Sequence, residues 1–186
     1  MSFSFRELLD PVGVYTGVGS RSTPDEVLEL MAELALSLGA RGWRLRSGRA
    51  RGADDAFERG AERAAADLEV YRPDGGWCGL EDLTPGGPSE EAFALAARVH
   101  PAWERCSSYV RALHARNCHQ VLGPGLDRPS GFVCCWTPDG SLDGSSRSAG
   151  GTGQALRIAV GAGVPVVNLK RPGHRRSVEA FLAGRG

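Results

Sequence analysis

The stretch Val12-Gly-Val-Tyr-Thr-Gly-Val-Gly-Ser-Arg21, running on through Ser22-Thr-Pro-Asp-Glu26, decides the fold. Val12–Thr16 is a short apolar run that stops at glycines, the pattern of a buried strand feeding a loop. A helix follows. Thr23 is placed to cap it, Pro24 suits its first position, and Asp25 and Glu26 complement the positive end of its dipole. Val27, Leu30, Met31, Leu34 and Leu38 then recur at helical spacing and give one apolar face up to Gly39. The same order repeats at once: a strand at Trp43–Ser47, the loop Gly48-Arg-Ala-Arg-Gly52, a helix over Ala53–Ala66 and a strand at Leu68–Tyr71. Strands joined through helices are parallel, and such crossovers are almost always right-handed. The expectation is a single α/β domain, an open and mostly parallel sheet with helices on both faces.

The rest of the chain extends this pattern. The segment 74–88 (GGWCGLEDLTPGGP at its centre) is turn-rich and reads as an irregular insertion or a lid. Helical spacing returns over Ser89–Val99 and again over Pro101–Leu122. A fourth strand is expected at Phe132–Trp136. The polar stretch Thr137–Ala149 leads to Gly150-Gly-Thr-Gly153 and a helix at Gln154–Ala162. Val164–Leu169 is a fifth strand, and Val178–Leu182 a closing helical turn. No internal repeat or dividing linker is visible.

Composition narrows the function classes. The chain has 186 residues, 41% hydrophobic and 24% charged, with Lys+Arg 22 balancing Asp+Glu 22. A neutral molecule has no overall field to steer it to nucleic acid or an anionic membrane. No window resembles a membrane-spanning helix, and the opening MSFSFRELLDP lacks a signal peptide's apolar core. Five cysteines, with Cys134 and Cys135 adjacent, make no disulfide framework, so a cytoplasmic protein is expected.

Ligands of open α/β sheets bind beyond the carboxyl ends of the strands. Three glycine-bearing loops follow strands here: Gly17–Arg21, Ser47–Asp54 and Thr137–Gly153. Glycine admits close approach of an anion, and a helix N-terminus points N–H groups at it. Gly150-Gly-Thr-Gly153 is thus a candidate phosphate cradle, with the Thr152 hydroxyl beside it. It is not a nucleoside-triphosphate loop, since no Gly-Lys-Ser/Thr follows. Gly17-Val-Gly19 lacks the third glycine of a dinucleotide fingerprint.

Taken together, Tyr15-Thr-Gly-Val-Gly-Ser-Arg21, Ser47-Gly-Arg-Ala-Arg-Gly-Ala-Asp54, His114-Ala-Arg-Asn117 and Gly150-Gly-Thr-Gly-Gln154 resemble the SLOG superfamily. This Rossmann-like group includes the cytokinin-activating LOG phosphoribohydrolases, the DNA-processing protein DprA and YpsA-type proteins. The likeness spans about Val12 to Leu169 and is greatest to small DprA-like or YpsA-like proteins. It implies a nucleotide-like ligand whose phosphate rests on Gly150, Gly151, Thr152 and Gly153. Gly17, Gly19, Ser20 and Arg21 would lie beside it, with Ser47, Gly48, Asp54, Arg116, Asn117, Thr137 and Gln154 completing the surround. It also implies a homodimer and no further cofactor.

The LOG enzymes carry an Arg-Lys pair and a Gly-Gly-x-Gly-Thr-x-x-Glu motif, whose Arg and Glu take part in cleaving the N-glycosidic bond of a nucleoside 5′-monophosphate. Here Arg116 matches the Arg and Asn117 replaces the Lys. The Glu is missing: Gln154, Ala155 or Leu156 stands where a carboxylate is needed. Glycosidic cleavage develops oxocarbenium character that a carboxylate stabilises, and a neutral Gln cannot do so. Three readings follow. The first is a nucleotide-binding protein. The second is an N-glycosidase using Arg116 with Asp54 or another acid near the loops (Asp55 or Asp139), although Asp54 could equally complement the dipole of its helix. The third is a DprA-like protein binding single-stranded DNA through Arg41, Arg44, Arg46, Arg49 and Arg51, although only Trp43 is near as a stacking platform.

Other residues are open to two readings. Arg49 suits a phosphate or solvent, and Trp136 a base or the core. Cys134 and Cys135 read as small strand residues rather than nucleophiles. Cys106, His114, Cys118 and His119 bring zinc to mind, but no Cys-x-x-Cys completes a tetrahedral set, so no metal is expected.

Overall fold

The computed structural model describes residues 3–74 and 87–184. Most of the expected insertion at 74–88 therefore lies outside the described residues. Five strands, β1 (Val14–Gly17), β2 (Arg44–Ser47), β3 (Leu68–Val70), β4 (Phe132–Cys135) and β5 (Val166–Asn168), form one sheet in the order β3-β2-β1-β4-β5. Every pairing is parallel, as the helical crossovers require. This is the Rossmann-like arrangement, with the strand order reversing between β1 and β4.

Among the described residues six α-helices cover the sheet: α1 (Asp25–Gly39), α2 (Ala53–Arg63), α3 (Glu90–Val99), α4 (Ser108–Leu122), α5 (Thr152–Gly161) and α6 (Pro172–Leu182). Alternation along the strands sorts them. Tyr15, Leu45, Phe132, Cys134 and Val167 point into one core shared with α1, α2 and α6. Val133 and Cys135 point into the other, shared with α3, α4 and α5. Both faces are covered, so β4 (Phe132–Cys135) reads as a continuous apolar run, whereas β2 and β3 carry the buried pair Arg46 and Glu69.

Several boundaries move for local reasons. Helix α1 opens at Asp25, with extended Pro24 as its cap, because the Thr23 hydroxyl donates to Ser20 O at 2.7 Å instead of capping. The helix expected over Pro101–Leu122 is divided. His100 is extended ahead of Pro101, a short 3-10 turn spans Trp103–Arg105, and α4 starts only after Ser107, whose hydroxyl accepts from the Val110 N–H. The closing helix is longer than expected, since Pro172 opens it at a position where no N–H is needed. A 3-10 turn at Phe5–Leu8, without a periodic signal in the sequence, buries Phe5 against Phe132 and Phe181.

Candidate functional site

Because all strands run one way, the loops after β1, β2 and β4 meet on one edge of the sheet. The glycines on that edge serve different ends. A Cβ on Gly17 would lie 2.6 Å from the Phe57 ring, and one on Gly19 would lie 2.5 Å from Ala53 Cβ. These two glycines let α2 settle against β1, so their missing side chains are filled by protein. A Cβ on Gly150 or Gly151 would meet no atom of the described residues within 4 Å. The turn before α5 is therefore open, and it leads into the buried Thr152 at the helix start.

Beside this turn two helices from opposite faces meet over the end of β2. Asp54 comes from the first turn of α2, Arg116 from the middle of α4, and both are almost fully buried. Their closest approach is 3.9 Å between Arg116 Nη1 and Asp54 Oδ2, too long for a hydrogen bond. Gly48 makes the meeting possible: a Cβ there would overlap Arg116 Nη1. Asp54 Oδ2 accepts from the Gly48 and Ala50 N–H groups at 3.2 and 3.4 Å, which folds the β2 loop around the carboxylate. Asn117, next to Arg116, donates to Gly151 O at 3.2 Å and ties α4 to the open glycine turn.

The electrostatics are unbalanced. Burial pushes the Asp54 carboxyl up to about 6; Arg116 opposes this and the Glu58 charge reinforces it. Burial likewise works against the Arg116 charge, which Asp54 supports. Arg116 Nε and Nη1 have no hydrogen-bond partner among the described residues, nor does either amide atom of Gln120. An unpaired buried donor costs about 1–3 kcal/mol, more when charged. Among the described residues, Arg116 Nε and Nη1 and Gln120 Nε2 thus lack acceptors while Gln120 Oε1 lacks a donor, and the oxygens of an anion have the chemistry to accept from the first three.

The remaining expected residues are placed as follows. Ser20 Oγ lies 2.8 Å from Ser22 Oγ, and Arg21 is exposed on the loop. The Ser47 hydroxyl is taken by Glu58 at 2.7 Å, and Thr137 Oγ1 accepts from Asn168 at 2.8 Å. Gln154 is fully buried, donating to Ala96 O at 3.0 Å and accepting from Arg157, so it braces α3 and α5. Arg49 Nε stands 4.0 Å from Glu58 Oε2. Trp136 belongs to the core, with Lys170 over its ring. Cys134 and Cys135 are buried, and burial pushes both thiols far up, as inert strand residues require.

The five arginines from Arg41 to Arg51 do not form one face. Arg44 pairs with Asp67 and Glu69, Arg46 is buried on Glu69, and Arg41 lies over Phe181. Of the residues suggestive of zinc, Cys118 turns to Ala92 O, and His119 stacks on Tyr71 and accepts from the Ser89 N–H.

Sequence reasoning missed Gln120 and Glu58. Each lies four residues beyond a residue that was singled out, Arg116 and Asp54, and so shares its helix face. That spacing was the available signal.

A separate cleft of about 660 Å³ lies at the opposite, amino edge of the sheet, lined by Trp43, Arg44, Arg46, Glu69 and Arg128 among others. Among these residues Arg44 and Arg46 both bind Glu69, and Arg46 also donates to Arg128 O. The unsatisfied buried nitrogens of Arg116, by contrast, lie at the carboxyl edge beside Gly48 and Asp54. No protein-family model matches the chain, and comparison with curated proteins finds no significant relative. No helix among the described residues is long and apolar enough to cross a membrane.

Proposed function

We propose that this protein binds a nucleotide or nucleotide-derived ligand at the carboxyl edge of its sheet, with the phosphate on the Gly150–Gly153 turn. One observation carries the reading: Arg116 is buried with Nε and Nη1 unpartnered among the described residues, and its neighbour Asn117 is bonded to the open turn at Gly151. The anion-binding character of a helix N-terminus supports it, as does the resemblance of the loops to the SLOG superfamily. Titration calorimetry with nucleoside 5′-monophosphates, the parent nucleosides and inorganic phosphate tests it. Monophosphates should bind and nucleosides should not. Arg116→Ala should weaken binding at least about tenfold, the equivalent of one charge-assisted hydrogen bond. Gly151→Leu should abolish binding in a folded protein; unaltered affinity in that variant overturns the site.

A second reading has its own support. Asp54 holds its proton up to about pH 6 and faces Arg116 within the same cluster. A carboxylate there has the charge to stabilise an oxocarbenium-like transition state, the role left open by Gln154. On this reading the protein is a nucleoside 5′-monophosphate N-glycosidase. Free base, followed by chromatography, should increase with pH as Asp54 ionises through about 6 and then level off. Arg116→Ala should remove it. Absence of released base at every pH leaves binding alone.

The single-stranded DNA reading draws no support from the divided arginines. Labelled oligonucleotides at low salt should therefore show no saturable binding, and strong salt-sensitive binding would reinstate it. The homodimer and cytoplasmic location implied at the outset belong to the same proposal; sedimentation velocity reads the first.

A further inference from the structure

A second constellation includes His114, two residues before Arg116 on α4, and does not depend on the nucleotide reading. His100 caps the end of α3, Cys106 follows the short turn after Pro101, and His114 sits on α4. The break of the expected long helix at Pro101 brings these three together. Their ligand atoms all lie within 4.8 Å of one another. Cys106 Sγ is 3.9 Å from His100 Nδ1, and the two imidazole rings face each other with centroids 4.4 Å apart.

We propose that His100, Cys106 and His114 form a binding site for a zinc-type divalent ion, with solvent in the fourth position. The donor set is the first reason: two imidazoles and a thiol are the ligands zinc prefers, and three protein ligands with one open position is an established zinc geometry. Distance is the second. Zn–S of about 2.3 Å and Zn–N of about 2.0 Å put tetrahedral donors about 3.5 Å apart, so side-chain movements on the order of 1 Å close the site. The third is an unsatisfied atom. His114 is 8% exposed, and its Nδ1 has no hydrogen-bond partner among the described residues.

The surroundings set the ionic state. Zinc takes neutral imidazoles and a thiolate, so loading the site displaces a proton from Cys106. Arg157 stands near both imidazoles, and because a divalent ion with one thiolate leaves the site one charge more positive, the ligand bonds must outweigh that repulsion. His100 Nδ1 accepts from the Ala102 N–H at 3.2 Å, so ligation through that nitrogen costs one hydrogen bond. The remaining contact of the thiol is weak, to Ala102 O at 3.6 Å. Sequence spacing alone hid the site, because Cys118 and His119 share α4 with His114 while His100 and Cys106 reach it only through the turn.

Cobalt(II) titration of tag-free, chelator-stripped protein carrying Cys78→Ser tests the proposal. One equivalent should bring in a thiolate-to-cobalt charge-transfer band together with intense visible bands of tetrahedral cobalt, and zinc should displace both. Cys106→Ser should lose the charge-transfer band, His114→Gln should weaken uptake at least tenfold, and Cys118→Ala should change neither. A measurement on the unaltered chain guards against variants that fail to fold. Stoichiometric zinc should slow iodoacetamide alkylation of Cys106 at least tenfold, as mapped by mass spectrometry. Charge transfer that persists in Cys106→Ser, or alkylation of Cys106 that zinc does not slow, overturns the site.

Discussion

Gly48 holds its position for the sake of another residue. Its backbone has no need of a left-handed conformation, but a Cβ there would occupy the space of Arg116 Nη1. Gly48→Ala should therefore reproduce the binding loss of Arg116→Ala while the fold survives, which calorimetry alongside circular dichroism would show. Asp54 yields a prediction with a definite sign. Its carboxyl is raised from the ordinary 3.8 to about 6, so the folded chain holds this proton more tightly than the unfolded chain does. Its contribution to stability is thus most favourable below about pH 4 and declines as pH rises through about 6. Measured by denaturant unfolding, the stability of Asp54→Asn relative to the unaltered protein should rise by about 2–3 kcal/mol from pH 4 to pH 7. A flat difference would show that Asp54 titrates normally. Arg116, Asp54 and Gly48 were each legible in the sequence as loop or motif residues. Their mutual contact was not, because it depends on two helices meeting from opposite faces.

At the level of elements, α1 and α2 pack tightly because small residues face each other. A Cβ on Gly60 would run into Ala32 O, a backbone atom that cannot step aside. Gly60→Ala should destabilise the protein by about 1–3 kcal/mol, the cost of overpacking, without changing ligand affinity. Thermal unfolding paired with titration calorimetry separates the two effects. The turn before α5 behaves in the opposite way. Gly151 has φ −63°, which any residue adopts, and open space at its Cβ position, so Gly151→Leu should unfold at nearly the temperature of the unaltered protein. The helices themselves could be read from apolar spacing and glycine stops. Two exceptions were the closing helix, which begins at Pro172 ahead of its apolar spacing, and Pro101–Leu122, where helical periodicity continued across a proline whose preceding residue is extended.

For the whole molecule, the parallel sheet brings loops distant in sequence onto one edge, and a ligand held there binds only the folded chain. A nucleoside 5′-monophosphate at 100 times its dissociation constant should then add about 2.7 kcal/mol of stability. Gly151→Leu should lose that increment, and its persistence would place the ligand elsewhere.

By itself the sequence determined the parallel α/β architecture, because buried strands and amphipathic helices alternate with local stop signals that need no knowledge of the rest of the chain. It also marked the edge where glycine loops gather. Tertiary structure alone decided which glycines face open space and which are filled by Phe57, Ala53 or Arg116. It alone turned Gln154 into a brace between helices, left Arg116 with unpaired donors, and gathered His100, Cys106 and His114 around one point. The physical reason is the same in each case. Whether a polar group is satisfied, or a small residue is crowded, depends on what packs against it across the fold, and local sequence carries no record of those partners.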